Sequence, residues 1–159
     1  MSDTPDTPAL RALAASGLDH VVTAHGPVRS LEEAAEARGV LPAQIIKTLV
    51  VRRGDDDYLF VLVPGDRQIS WPKLREHLGV SRLSMPDKEV AREVTGYERG
   101  TITPFGATTA WPVVADAQLV ASDTPVSIGG GAHGVAVTVL PAALVATLGA
   151  AVADVTEPA

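Results

Sequence analysis

The sequence predicts a single α/β domain of the α+β type, in which helices surround a central mixed, mostly antiparallel sheet. Two apolar, strand-like runs at 45–53 and 58–63 are joined by a short Gly-Asp-Asp-Asp turn, which is typical of an antiparallel hairpin. Helical and strand-like segments interleave irregularly elsewhere, and the length of 159 residues is that of one ordinary domain. We therefore expect one domain over residues 1–159, with flexible tails at 1–8 and 156–159.

Start and stop signals divide the N-terminal half into its elements. Ser30 and Glu33 form a capping box, in which a hydroxyl and a carboxylate satisfy free backbone donors at a helix start, and Gly39 ends that helix. In chain order this half is predicted to contain a helix at 8–16, a strand at 20–24, a helix at 31–38, a turn opened by Pro42 and the two hairpin strands.

Prolines and glycines divide the C-terminal half in the same way. Pro72 lies just inside a helix that Ser70 opens and Gly79 ends, because the first turn of a helix leaves its amide groups unpaired in any case. The segments that follow are a helix at 86–96, a loop at 96–111, strands at 112–116, 126–128 and 135–139, a helix at 141–148 and a short closing strand at 151–155.

Composition excludes several classes of function. The sequence has no cysteine, which excludes structural disulfides, thiolate zinc sites and a cysteine nucleophile. Its four histidines show no metal-ligand spacing, and no G-x-S-x-G motif supports a serine hydrolase. No apolar run approaches the roughly 20 residues of a membrane span, and the polar start does not resemble a signal peptide. We expect a cytoplasmic protein without a metal, a cofactor or a membrane contact.

The charge of the chain argues against a strong, sequence-independent grip on nucleic acid, because the net charge is −6. Four of the acidic residues lie in the terminal segments, and residues 11–149 hold 13 basic and 15 acidic side chains, a balance of −2. A local basic face therefore stays open beside the alternative of a mixed, solvated surface. The densest basic stretch consists of Arg52, Arg53, Arg67, Lys73, Arg75 and Arg82.

Two segments are candidates for ligand contact. Residues 129–134 fit the dinucleotide spacing G-x-G-x-x-G, but 135–139 alternates as a strand where that motif needs a helix. We interpret these glycines as a bulged turn or as a close approach of backbone to a ligand, with His133 best placed to touch that ligand. The long loop 95–106 presents backbone donors and acceptors to a small polar group, or is simply a packed connection.

Lys47 is the most informative residue, because it interrupts the apolar run 45–51, which otherwise has the pattern of a buried strand. Strand alternation puts it on one face with Leu49 and Val51, where an unpaired ammonium is costly. Its head group must therefore reach a cleft or a partner, unless it snorkels to water from a strand end. Composition does not explain the lysine, since the sequence has ten Arg but only three Lys.

Taken together, these segments resemble the YbaK/ProX family, which includes free-standing aminoacyl-tRNA deacylases and the editing domain inserted in bacterial prolyl-tRNA synthetases. The resemblance covers residues 20–155 and implies a compact domain with a mixed sheet, which hydrolyses the ester that joins a wrong amino acid to tRNA. The motifs that carry it are, in chain order, the run 44–50 around Lys47, residues 63–66, residues 95–97, the G-x-x-x-P-F-G segment 100–106, and the glycines 130 and 131 before a strand.

The resemblance also implies a set of site residues. Lys47 matches the family's essential lysine, and the loop 100–104 matches the segment whose backbone faces the aminoacyl end. Asp116 matches a common acidic position, although it can equally cap the turn that follows it, and His133 falls where family members differ. Together with apolar side chains expected in the amino-acid pocket, the substrate-binding residues are Gly100, Thr101, Ile102, Thr103, Pro104, Phe105, Gly131, His133, Asp116, Ile46 and Leu62.

The implied reaction needs no protein nucleophile, because an aminoacyl ester is already activated. In this hypothesis Lys47 donates either to the ester or to the phosphate of the terminal adenosine, and the Gly100 loop fixes the carbonyl by backbone groups. The implied partner is the 3′ aminoacyl end of a mischarged tRNA carrying Ala, Cys, Ser or Thr, with tRNA-Pro as one candidate. An aminoacyl-tRNA synthetase or an elongation factor is a candidate helper, and a monomer is the default state. Two alternatives stay open: a non-catalytic binding or regulatory module of the same fold, and a small-molecule or nucleotide binder that rests on the glycine cluster alone.

Overall fold

The computed structural model describes residues 5–159, and the predicted elements are confirmed there with small shifts at their ends. None of the described helices has the length and hydrophobicity that a membrane span requires. The helices are α1 (Pro8–Ser16), α2 (Leu31–Arg38), α3 (Trp71–Leu78), α4 (Lys88–Thr95) and α5 (Pro141–Leu148). The strands are β1 (Val21–Ala24), β2 (Ile46–Gly54), β3 (Asp57–Pro64), β4 (Arg67–Ile69), β5 (Val113–Asp116), β6 (Val126–Gly129), β7 (Val135–Val139), β8 (Ala151–Ala153) and β9 (Thr156–Pro158).

Backbone hydrogen bonds arrange these strands in three sheets. The central sheet has the order β2-β3-β5-β8, in which the β2–β3 hairpin is antiparallel and the other two pairs are parallel. A second sheet, β1-β7-β6, and a third, β4-β9, are antiparallel throughout. A bridge between Ile45 and Ser127 joins the start of β2 to β6. The predicted mixed α/β fold is confirmed, with one difference: antiparallel pairs predominate over the three sheets together, whereas the central sheet itself has two parallel pairs and one antiparallel pair.

The core lies on both faces of β3, the central strand. Alternate residues of a strand point to opposite faces, so an uninterrupted apolar strand is expected to be buried on both sides. Tyr58, Phe60 and Leu62 pack in one buried cluster with residues of α1, β6 and β7. The intervening residues pack in a second cluster with α3 and β4, and they are Leu59, Val61 and Val63.

The capping box of α2 forms with one difference from the prediction. The hydroxyl of Ser30 accepts a hydrogen bond from the amide of Glu33 at 3.1 Å, as expected. The carboxylate of Glu33, however, accepts from the amide of Arg29 at 2.6 Å rather than from that of Ser30. The helix start is satisfied in either case, and α2 ends at Arg38 with Gly39 in the left-handed conformation.

The predicted tails are corrected at both ends. Residues 1–4 lie outside the described part of the chain, but Thr7 is buried and its hydroxyl accepts from the amide of Leu10, which starts α1. At the other end, β9 pairs with β4 and Thr156 is fully buried. The prediction of a flexible tail was wrong for 156–158, because the short polar sequence gives no local sign of its pairing with β4, which is far away in the chain.

Candidate active site

A cleft runs along β2, which is an edge strand of the central sheet. Its volume is about 760 Å³. Residues from the end of α2, the start of α4, the loop after α4 and the end of β6 complete its walls. Of the predicted site residues, it is lined by Lys47, Ile46, Gly100 and Ile102. Segments that are distant in sequence therefore line one cleft together with Lys47, the residue that interrupts the apolar pattern of β2.

Lys47 is half-buried, and its ammonium donates a hydrogen bond to the main-chain carbonyl of Arg67. Burial lowers its pKa from the ordinary value, and the negative charge of Asp66 partly offsets this shift. Its strand neighbours Leu49 and Val51 belong to the second core cluster, as the predicted alternation requires. Lys47 thus lines the cleft, and its ammonium is held by a backbone partner on β4.

The loop after α4 is held rigidly, and two of its residues reach the cleft. The Tyr97 hydroxyl donates to the carbonyl of Phe105 at 2.6 Å, and the Thr101 hydroxyl donates to the carbonyl of Glu98 at 2.8 Å. Gly100 lines the cleft with a φ of +88°, a conformation that favours glycine. Thr101, Thr103 and Phe105 are buried and do not line the cleft; they anchor the loop.

The glycine cluster forms the turn between β6 and β7, so the predicted absence of a dinucleotide-binding helix is confirmed. Gly129 lines the cleft, whereas Gly131 packs against Ala9 and Tyr97. His133 is exposed and does not line the cleft, but its ring lies against the loop: a β-carbon at Gly100 would be 3.3 Å from Cε1 of His133.

Three predicted site residues lie elsewhere. Asp116 is fully buried, and its two carboxylate oxygens accept from the amides of Val155 and Gln118, each at 3.1 Å. This is the capping role that its position before a turn allowed. Leu62 is fully buried in the core, and Pro104 lines a separate cavity of about 480 Å³ beside Trp111. Leu62 lies on β3, between β2 and β5 in the central sheet, and strand alternation turns its side chain into the core.

The charge of the cleft is opposite to that of the chain. Four basic and two acidic side chains line it, a local balance of +2 against −6 overall; the basic ones are Arg38, Lys47, Lys88 and Arg99. None of the six residues in the densest basic stretch of the sequence lines the cleft. Four of them bond to other residues of the chain. These pairs are Arg52 with Asp55, Arg53 with Asp57, Lys73 with Asp154, and Arg67 with Thr156.

Arg38 and Thr48 are among the polar residues of the cleft that the sequence prediction missed. Arg38 ends α2, where a basic residue is unremarkable because it favours the helix dipole. Thr48 follows Lys47 directly, and its buried hydroxyl oxygen has no hydrogen-bond partner among residues 5–159. The adjacency of Thr48 to Lys47 was an available signal, whereas nothing in the sequence brings Arg38 to β2.

A model of the aminoacyl-tRNA editing domain matches residues 25–147, which are most of this chain. The chain belongs to the aminoacyl-tRNA editing domain family. Lys47, Thr48 and the loop with Gly100 all fall inside the matched residues. The family resemblance inferred from the sequence motifs is thereby confirmed.

Curated relatives of this editing domain are whole synthetases. The proline–tRNA ligase of Thermosipho africanus is 39% identical over 80 residues, which are 50% of this chain and 14% of that protein. The proline–tRNA ligase of Heliobacterium modesticaldum is 38% identical over 93 residues, 58% of this chain and 16% of that protein. The matched part of the chain thus corresponds to only a small share of the length of these relatives.

Solved structures confirm the fold of the editing domain. The crystal structure described as that of "a putative trans-editing enzyme for prolyl tRNA synthetase" has a TM-score of 0.85 and 31% identity, covering 97% of this chain and 99% of that one. A protein described as hypothetical has a TM-score of 0.85 and 29% identity, covering 95% of this chain and 100% of that one.

Proposed function

We propose that this chain is a trans-editing aminoacyl-tRNA deacylase, which hydrolyses the ester between a small amino acid and the 3′ end of a mischarged tRNA. The observation that carries the proposal is that Lys47 and Gly100, which are distant in sequence, line one cleft. Membership of the editing-domain family supports the substrate class. The likeness over the full length to a protein described as trans-editing supports action as a separate chain.

The chemistry that this cleft can supply is positioning and charge stabilisation. Hydrolysis adds the hydroxyl of water to the acyl carbon and its proton to the leaving ribose oxygen, through a tetrahedral oxyanion. Lys47 stabilises that oxyanion, because a fixed cation acts more strongly in a partly desolvated cleft than in water. The backbone at Gly100 orients the ester, since no side chain stands between it and the ligand. A ribose hydroxyl of the tRNA assists the proton transfer.

The apolar part of the cleft favours a small amino acid. Ile46 and Ile102 line it together with other aliphatic residues of β2, and no aromatic side chain is among the lining residues of the described chain. An apolar pocket discriminates by only about 1–3 kcal/mol per methylene, so Ala, Cys, Ser and Thr are all candidate substrates. The positive balance of the lining side chains suits the phosphates of a tRNA acceptor end, with tRNA-Pro as the first candidate.

The test is release of amino acid from tRNAs mischarged with Ala, Cys, Ser or Thr, measured with the wild type and with Lys47→Ala. We expect the wild type to deacylate one or two of these species and Lys47→Ala to release amino acid at the background rate. Release from none of them, by a wild-type protein that still binds the tRNA, would support a non-catalytic binding module and contradict the proposal.

A further inference from the structure

Arg38 is a cleft residue whose charge is not neutralised by the rest of the chain. It is half-buried, and burial lowers its pKa from the ordinary value, although a guanidinium stays charged at physiological pH. None of the ion pairs found among residues 5–159 includes it. One terminal nitrogen donates to the hydroxyl of Ser127 at a long 3.4 Å, and its Nε is buried without a hydrogen-bond partner in this range.

Arg53 differs from Arg38 in having a carboxylate partner, although both side chains are arginines. Arg53 is also half-buried, and its Nε and one terminal nitrogen donate to the two carboxylate oxygens of Asp57 at 3.0 and 3.1 Å. That bidentate geometry is the arrangement in which a guanidinium binds carboxylates and phosphates most strongly. The corresponding edge of Arg38 has no carboxylate partner, but its Nε is enclosed by the protein, so a ligand in the cleft can reach only the terminal nitrogens. An arginine that lines a cleft without an ion pair favours binding of an external anion through these nitrogens.

The surroundings of Arg38 favour an anion over a neutral group. Lys88 and Arg99 line the same cleft, and both are exposed. Of the two acidic lining residues, Asp87 is already engaged, because its carboxylate accepts from the amide of Val90 at 2.9 Å and caps α4. The wall formed by α2, the start of α4 and the following loop therefore presents three cations against the carboxylates of Asp87 and Glu89, and Lys47 on β2 adds a fourth cation.

We propose that Arg38 binds, through its terminal guanidinium nitrogens, the phosphate group on the 5′ side of the terminal nucleoside of the substrate. This inference rests on the proposed function and deepens it: Arg38 holds the phosphate, which leaves Lys47 free for the ester. The ligand class is a nucleoside 5′-phosphate or phosphodiester whose ribose carries the aminoacyl group. Arg38 is thereby a binding and positioning residue, whereas Lys47 contacts the reacting atoms.

The first experiment measures binding of AMP and of adenosine by calorimetry, and it does not depend on hydrolysis. We expect the wild type to bind AMP at least about tenfold more tightly than adenosine, the effect of a hydrogen bond to a charged group. Arg38→Gln should abolish this preference, and Arg38→Lys should restore part of it because the charge returns without the fork. The matched control is Arg92→Gln, an exposed arginine of α4 outside the cleft lining, which should keep the preference.

The second experiment uses adenosine aminoacylated on its ribose, with and without a 5′-phosphate. Arg38→Gln should raise KM for the phosphorylated ester at least about tenfold more than KM for the unphosphorylated ester. Equal losses on both esters, or equal affinity of the wild type for AMP and adenosine, would overturn the role of Arg38. If the wild type hydrolyses neither ester nor any mischarged tRNA, the proposed function fails, while the AMP preference still decides the phosphate site.

Discussion

The ammonium of Lys47 donates a hydrogen bond to the main-chain carbonyl of Arg67, across the turn that joins β3 to β4. A carbonyl partner fixes the direction of the side chain without neutralising its charge. Asp66 lies in the same turn, but it acts on Lys47 through its field and forms no ion pair with it within residues 5–159. The lysine is therefore held in place without an ion pair in this range, and it lines the cleft.

The titration of Lys47 can be measured directly. Because burial lowers its pKa, the Cε carbon signal of Lys47, assigned through Lys47→Met, should titrate in NMR with a midpoint below 10.5. Asp66→Asn should lower the midpoint further, since the Asp66 charge raises it. The folded state releases this proton at lower pH than the unfolded chain, so the contribution of Lys47 to stability increases as pH rises through the folded-state pKa. A midpoint at or above 10.5 would refute this description.

Gly100→Ala should impair both stability and deacylation. Its φ of +88° costs an L-residue about 1–2 kcal/mol, and the new β-carbon would lie 3.3 Å from the His133 ring. The matched control is Gly79→Ala, which has a φ of +68° and no atom within 4 Å of the added carbon. Both variants should lose Tm by a similar amount, but Gly100→Ala alone should lower kcat/KM. Equal activity of the two variants would show that the loop backbone does not position the substrate.

Thr48→Val should separate binding from stability. The hydroxyl of Thr48 is buried in the cleft without a partner among residues 5–159, so its removal should leave Tm unchanged or higher. If the hydroxyl bonds the substrate, kcat/KM for deacylation should fall about fivefold, as for one neutral hydrogen bond. A variant that loses Tm but keeps full activity would mean that Thr48 serves the fold instead.

Asp116→Ala should destabilise the protein without removing its chemistry. The change leaves the amides of Val155 and Gln118 without their acceptor, and the buried one, that of Val155, costs about 1–3 kcal/mol when unsatisfied. We expect a drop in Tm of roughly 2–4 °C per kcal/mol in calorimetry. At a temperature where the variant is folded, its kcat for deacylation should stay within a factor of two. A selective loss of kcat without a change in Tm would restore Asp116 to the site.

Local signals in the sequence were sufficient for most of the fold. Ser30, Ser70 and Asp87 each cap the helix that their positions predicted, because capping depends on residues three positions apart. The apolar runs 45–53 and 58–63, with the short turn between them, likewise predicted the antiparallel hairpin of β2 and β3. The pairing of β9 with β4 was missed, because it depends on a contact between distant segments that no local pattern records.

The candidate site was predictable only in part. Lys47 was visible because a charge inside an apolar strand is costly, and Gly100 because the loop around it is rich in Gly and Pro. Arg38 looked like an ordinary helix-end cation, and only the tertiary structure brings it into the cleft. Leu62 and Asp116 were predicted at the site because their residue types fit a pocket. In the structure the side chain of Leu62 faces the core, and the carboxylate of Asp116 caps the turn that follows it.

The most direct test of the account is single-turnover deacylation by Lys47→Ala, on the mischarged tRNA that the wild type hydrolyses best. We expect the rate constant to fall about 100-fold or more, the usual effect of removing an oxyanion-stabilising group, with Tm largely retained. Lys73→Ala is the matched control, because its ammonium bonds Asp154 and the Thr156 carbonyl outside the cleft lining, and it should stay within a factor of two of the wild type. A rate for Lys47→Ala within that same factor would contradict the central claim that Lys47 stabilises the transition state.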